Sequence, residues 1–284
     1  MKIYTTATSL RAALSQASGT IAFVPTMGAL HAGHMALIEA AKQGHDWVVA
    51  SIFVNPTQFN ETADLTAYPR TPEADAALLE QYGCHFLYRP SVVDVYPNGP
   101  TESLAGGLDF GTLSQRMEGA HRPGHFSGVA QVVSRLLEIV RPTSLLLGQK
   151  DYQQVAIVRS MMQQLELAVK LEVVPTVRET DGLAMSSRNR RLDPEERQAA
   201  AVINRHLTAV VAGLEAGWPA RSLEEMAIVQ LAKHPLLEPE YLEIAHGNTL
   251  LPFSDGDAAE EIVVATAVHC GPVRLIDNMV LMRG

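Results

Sequence analysis

The sequence predicts an α/β fold, a domain built on a mostly parallel sheet followed by a smaller α+β domain. Short β-branched runs alternate with helical patterns through the first two thirds of the chain. The alternation stops after Asn189, and the remainder reads as two helices followed by three strands with no helix between them. A length of 284 residues suits two domains, which the change of pattern divides into 1–180 and 181–284.

The first strand of the alternation, Ile21–Thr26, runs into a helix over 34–43 and then a near-continuous apolar strand over 47–54, a βαβ unit. Thr71-Pro72-Glu73 sets out an N-cap, a proline at the first helical position and an acid in the first turn. It predicts a helix reaching about Tyr82, stopped by Gly83. A strand over 85–88 follows, then a stretch over 94–119 rich in glycine and proline, which predicts loops with short elements of the kind that serve ligands. A helix over 129–140, a strand over 144–147, a helix over 151–165 and a strand over 171–177 resume the alternation. In the second domain, Asp193-Pro194-Glu195 opens a helix over 194–211. A helix over 223–233 and strands over 241–246, 262–269 and 273–281 complete it.

Composition narrows the function. With 47% hydrophobic and 19% charged residues the chain is an ordinary globular protein rather than a disordered one. Twenty-two Lys plus Arg against 31 Asp plus Glu leave a formal charge of −9, a field that repels a phosphate backbone and argues against nucleic acid as a ligand. Cys84 and Cys270 lie far apart and outside any Cys-x-x-Cys pattern, so neither a disulfide framework nor a zinc knuckle is suggested. Residues 1–14 carry no apolar export core, and no run reaches the length of a membrane span. The expectation is a cytoplasmic chain without a membrane partner.

Two segments stand where an α/β sheet presents ligands, at the carboxyl end of a strand and the start of a helix. In the first, Pro25 to His34, the histidines His31 and His34 are three apart, and that spacing can turn both imidazoles toward one phosphate. The same pair fits a plainer role, one histidine capping the helix and the other facing solvent. Gly28 and Gly33 favour phosphate because glycine permits close backbone approach, while the absence of an intervening Glu and of a third ligand argues against a metal pair. The second segment, Gly148-Gln149-Lys150-Asp151, repeats the order of strand, glycine, basic residue and helix, and sets an ammonium beside a helix start. Asp151 can cap that helix or contact a ligand.

The run Thr26-Met27-Gly28-Ala29-Leu30-His31-Ala32-Gly33-His34 resembles the HxGH signature of nucleotidyltransferases related to class I aminoacyl-tRNA synthetases. Further segments are similar to the pantoate–β-alanine ligase family. They are Ser51-Ile52-Phe53-Val54-Asn55-Pro56-Thr57-Gln58-Phe59, Tyr68-Pro69-Arg70, Arg122-Pro123-Gly124-His125-Phe126 and Gly148-Gln149-Lys150-Asp151-Tyr152-Gln153-Gln154. The last is Val177-Arg178-Glu179-Thr180-Asp181-Gly182-Leu183-Ala184-Met185-Ser186-Ser187-Arg188-Asn189, whose Met185-Ser186-Ser187-Arg188 resembles a KMSKS-type loop. The resemblance spans about residues 21–189.

It implies a Rossmann-like first domain, a C-terminal lid, a homodimer, and ATP-dependent joining of pantoate to β-alanine through a pantoyl adenylate, releasing AMP and pyrophosphate. In that picture His31, His34, Lys150, Ser186 and Arg188 are catalytic. ATP is held by these residues together with Met27, Gly148, Asp151, Val177, Met185 and Ser187, with Mg2+ on its phosphates. Pantoate falls to Gln58, Gln154 and Met27. Tyr68, Asn55, Arg122 and His125 line the substrate path or brace its loops, and Asp75, in the partial acidic cluster Glu73-Ala74-Asp75, is a candidate metal ligand. The alternatives are a nucleotidyltransferase with another small acceptor and a nucleotide-binding module without catalysis.

Overall fold

A computed structural model of the chain describes residues 1–59, 62–99 and 105–283. The elements run β1 (Lys2–Tyr4), α1 (Ala7–Leu14), β2 (Ile21–Thr26), α2 (Ala32–Gly44), β3 (Trp47–Ile52), α3 (Thr62–Ala67), α4 (Pro72–Gln81), β4 (Phe86–Tyr88) and α5 (Val92–Val95). Then come α6 (Glu118–His121), α7 (His125–Val140), β5 (Ser144–Gly148), α8 (Tyr152–Gln164), β6 (Lys170–Val174), α9 (Pro194–Glu215), α10 (Ala220–Leu231), β7 (Leu237–His246), β8 (Glu261–Cys270) and β9 (Val273–Met282). Among the described residues no helix is long and apolar enough to cross a membrane.

The chain divides into two compact units. One comprises Met1–Phe110, Arg122–Gln149 and Ile157–Pro175, the other Gly111–His121, Lys150–Ala156 and Thr176–Gly284. The short pieces 111–121 and 150–156 thus group with the C-terminal third.

The first unit is a six-stranded sheet in the order β1-β4-β3-β2-β5-β6, parallel at every pairing. β2 and β3 form its middle, which is why both are almost wholly apolar, and Ala22, Val24, Val48 and Ala50 join Leu30, Met35, Ile38 and Leu79 in one core. The pairing of β2 with β5 ends at Phe23, before Pro25, which has no N–H to contribute to a ladder. β1 and α1 are additions to the predicted set: a three-residue strand is too short to show a period, and its register comes only from β4. α7 begins at His125, four residues before the predicted start, because Gly124 takes a left-handed φ of 80° that turns the chain into the helix. Of the predicted loop-rich stretch, 94–99 and 105–119 hold short turns and the beginning of α6, and 100–104 lie outside the described residues.

The second unit carries the antiparallel sheet β7-β8-β9. Helix α9 starts in a capping box, Asp193 accepting from the N–H groups of Glu195 and Glu196 while Glu196 accepts from the N–H of Asp193. Ala200, Ile203, Leu207 and Val210 of α9 and Leu223, Ala227 and Leu231 of α10 close over Leu242, Ile262, Val264 and Leu275 of the sheet.

Candidate active site

The loop after β2 is held by a single buried carboxylate. Gly28 and Ala29 both adopt left-handed backbone, with φ of 82° and 51°, and the second is a strained conformation for alanine. Asp75, 2% exposed, offsets that strain. Its Oδ2 accepts from the Ala29 N–H at 2.9 Å and its Oδ1 from the Leu30 N–H at 2.8 Å and the Thr71 hydroxyl at 3.0 Å. A Cβ on Gly28 would stand 3.0 Å from Asp75 Oδ2 and 3.1 Å from Ile52 Cγ2, so only glycine lets loop and carboxylate approach this closely. Both oxygens of Asp75, the candidate metal ligand, are engaged by donors within the fold. Among the described residues there is also no group of three or more His, Cys, Asp or Glu that could hold a metal ion.

The two histidines that follow are both caps. His31 is the N-cap of α2, its Nδ1 accepting from the Gly33 N–H at 3.2 Å, and His34 Nδ1 accepts from the His31 N–H at 3.3 Å. The rings lie 4.1 Å apart. A ring nitrogen that accepts from an amide carries no proton, so each imidazole holds its proton on Nε2, and each offers an N–H donor at the end away from the helix backbone. The plain capping role and the phosphate-donor role are thus compatible, since capping engages Nδ1 and the donor role calls on Nε2.

Gln58 lies in the next strand-to-helix connection, on the short 3-10 turn Pro56–Gln58. Asn55, 1% exposed, caps that turn, and its Nδ2 donates to Thr57 Oγ1, Gln58 Oε1 and the Gly128 carbonyl while Tyr96 donates to its Oδ1. Gln58 is itself buried, with Nε2 3.0 Å from the Met27 sulfur. Its main-chain carbonyl accepts from His125 Nδ1 at 2.7 Å and from Arg122 Nη2 at 3.5 Å, and Arg122 Nη1 meets His125 Nε2 at 3.3 Å. Here the imidazole proton sits on Nδ1, the opposite tautomer to that of His31 and His34. α7 presses on the same turn so closely that a Cβ on Gly128 would stand 2.4 Å from the Thr57 carbonyl oxygen. Arg122, His125 and Asn55 thus brace the Gln58 turn. Tyr68 is buried edge-on to Phe59, with centroids 5.7 Å apart. A cavity of 420 Å³ opens at this end of the sheet, lined by Met27, Gly28, Phe53, Arg70, Asp75 and Arg89 among others.

The second unit holds the remaining candidates except Gly148. Lys150 and Asp151 lie on a 3-10 turn, with Nζ and carboxylate 3.8 Å apart and the lysine side chain 17% exposed. The Lys150 carbonyl accepts from Asn278 Nδ2 at 2.8 Å. Gln154 is half-buried on the first turn of α8, and its neighbour Gln153 is buried, tied through its amide to the carbonyls of Leu113 and Arg116 and to the Glu118 N–H. Residues 177–185 form a hairpin in which the Met185 N–H donates to the Val177 carbonyl and the Glu179 N–H to that of Leu183. Beyond it Ser186 caps the turn Ser187–Arg191 by accepting from the Arg188 N–H, with Ser187 buried beneath. Arg197 of α9 clamps the hairpin from outside, donating to Asp181 and Glu179, and that pairing holds the Asp181 carboxyl below the usual carboxylate range. Gly148 closes β5 in the first unit. Gln153, named in the sequence only within its segment, and Asp277 and Asn278, which motif reading passed over, tie the turns of this unit together. The one signal for the last two is a polar pair within the apolar strand 273–281. Both cysteines are buried, which pushes each thiol up to about 11, so neither is a ready nucleophile.

A family model described as pantoate-beta-alanine ligase matches residues 2–280 of the chain. The pantothenate synthetase of Porphyromonas gingivalis is 46% identical over 282 residues, 98% of this chain and 99% of that protein, and that of Herpetosiphon aurantiacus is 42% identical over 99% and 100%. Among solved structures, pantothenate synthetase from Thermus thermophilus superposes with a TM-score of 0.90 at 44% identity, covering 98% of this chain and 99% of that one. The pantoate-beta-alanine ligase of Francisella tularensis, complexed with beta-gamma ATP and beta-alanine, gives a TM-score of 0.82 at 33% identity over 98% and 97%.

Proposed function

The chain belongs to the pantoate–β-alanine ligase family, and from that premise we propose how its residues divide the chemistry. The enzyme joins pantoate to β-alanine with ATP to make pantothenate. A carboxylate is a poor electrophile, so we assign a first step in which pantoate attacks the α-phosphorus of ATP, expelling pyrophosphate and leaving a pantoyl adenylate. The β-alanine amine then attacks the acyl carbon and AMP departs with the bonding pair.

The single observation that carries the assignment is the pair of capped imidazoles, two neutral N–H donors fixed at a helix start where an anion is favoured. In this reading His31 and His34 donate to phosphate oxygens. Lys150, Ser186 and Arg188 meet the charge that grows on the transferring phosphoryl group and on pyrophosphate, which is stabilisation by position rather than covalent catalysis. Met27, Gly148, Asp151, Val177, Met185 and Ser187 surround the nucleotide, and Gln58, with Gln154 and Met27, holds pantoate. Tyr68 borders the path. Magnesium belongs with the triphosphate, since the described residues gather no protein set for it. Homodimeric assembly and a cytoplasmic location are part of the same proposal.

The test is exchange of labelled pyrophosphate into ATP, supplied as its magnesium complex. Exchange is expected with pantoate present and β-alanine omitted, followed by AMP release when β-alanine is added. Exchange that starts only with β-alanine removes the free adenylate, and a nucleotide-containing end product would point to the nucleotidyltransferase alternative.

A further inference from the structure

Strand β9 buries two polar side chains in succession, Asp277 at 5% exposure and Asn278 at 2%. Consecutive strand residues point to opposite faces, so the strand is polar on both sides at this level although Val273 and Leu275 before it are apolar and buried. Interring a carboxylate and a carboxamide is unfavourable unless they are partnered, and an apolar pair of similar size often serves stability as well. Their partners are therefore informative.

Asn278 Nδ2 donates to the Lys150 carbonyl at 2.8 Å. Asp277 takes the Arg178 guanidinium on both oxygens, at 2.6 and 3.0 Å, and the same guanidinium donates to the Asn278 carbonyl and to the Gly182 carbonyl. The Asn278 N–H in turn donates to Asp277 Oδ1 at 2.7 Å. One strand thereby grips two separate segments: the turn carrying Lys150, 128 residues away in sequence, by its main chain, and the hairpin that leads to Ser186 and Arg188 by its Arg178 side chain. All of these groups belong to the second unit.

We infer that Asn278, backed by the Asp277–Arg178 pair, is a positioning residue for phosphoryl transfer, setting the Lys150 turn and the 177–188 segment in a fixed relation to one another. The inference rests on the role given to Lys150 under Proposed function. Asn278 acts through the Lys150 backbone and touches no substrate in this scheme.

The experiment is a double-mutant cycle on pyrophosphate exchange in the full-length enzyme, with rates normalised to the folded fraction from circular dichroism. Asn278→Asp swaps the donor for an oxygen facing the Lys150 carbonyl, and Asn278→Ala deletes it. Should the first fail to fold, the second carries the same cycle. Either single variant is expected to lower the exchange kcat about tenfold, the scale of one lost buried hydrogen bond, with pantoate KM changed less than about twofold. Combined with Lys150→Ala, the Asn278 change should add almost nothing, because the group it positions is gone. Independent, multiplying losses in the double variant would mean a general structural role and overturn the inference, as would a folded Asn278 variant with the wild-type kcat. If Lys150→Ala alone leaves exchange intact, it is the role of Lys150 that fails, a result separable from the other two.

Discussion

The groups assigned to phosphate fall in two regions that hold them in opposite ways. After β2 the donors are neutral imidazoles, each pinned at its own ring by a backbone amide, on a loop that a buried carboxylate holds in left-handed backbone. Around Lys150 and Ser186 the chief donors are cationic side chains, and the anchors act on the segments that carry them, at the Lys150 carbonyl and at Arg178 of the hairpin. A neutral hydrogen bond weakens steeply as its angle opens, so its donor must be aimed in advance. A cation attracts phosphate over several ångströms and tolerates looser aim. What the contrast teaches is that the rigid elements of a phosphate site are to be sought around its uncharged donors.

The largest effect that could break this contrast is at Asp75. Asp75→Ala leaves the Ala29 and Leu30 amides buried without acceptors, at roughly 1–3 kcal/mol each, and should lower stability by about 3–5 kcal/mol in urea denaturation. A variant with wild-type stability and exchange activity would show that the loop holds itself. Next is Gly128→Ala. The atoms in the way, Thr57 O at 2.4 Å, Thr57 C at 2.7 Å and Gln58 Cα at 2.9 Å, are all backbone and cannot swing aside, so the turn must move. Overpacking of this kind costs about 1–3 kcal/mol, and the sharper reading is kinetic: pantoate KM should rise more than kcat falls. An unchanged pantoate KM would detach the Gln58 turn from the acid.

The smallest effect concerns the outer clamp. Hydrogen bonding to Arg197 is the main cause of the lowered Asp181 pKa, so the stabilisation it brings is complete above the unfolded carboxyl value of about 3.9 and fades as pH falls through the lower folded value. The clamp is solvent-exposed and therefore screened, and a modest change is expected. Melting temperatures of the wild type and Arg197→Ala should differ at neutral pH and converge below about pH 4. A constant gap across that range would assign the effect to packing of the arginine stem.

Much of this was legible before any coordinates. The alternation of β-branched runs and helical periods pointed to the parallel sheet, and the near-continuous apolar run over 47–54 fits its place in the middle, because a strand buried on both faces has to be apolar throughout. His31, His34 and Lys150 stand out in the sequence because each lies at a strand-to-helix junction, a local feature, and Ser186 because its segment resembles a KMSKS-type loop. What stayed hidden depends on contacts far apart in sequence. Asp75 read as part of an acidic cluster, and nothing local shows that the amides of Ala29 and Leu30, 46 and 45 residues earlier, arrive at its two oxygens. Asn278 is a polar residue in a mostly apolar strand, and nothing local shows that its partner is the Lys150 carbonyl, 128 residues earlier. Arg122 and His125 could equally be substrate or scaffold on paper; the Gln58 carbonyl they share speaks for bracing.

The capped histidines carry one more consequence, for anyone wishing to redesign the loop. In the proposed scheme each ring works at both ends at once, an acceptor toward its own helix at Nδ1 and a phosphate donor at Nε2, joined by a flat, inflexible spacer. An asparagine could imitate the near end but is too short for the far one. A glutamine could reach the far end while leaving the helix start uncapped. Substitution at either position therefore trades a folding defect against a chemical one, and imidazole is the side chain that escapes the choice.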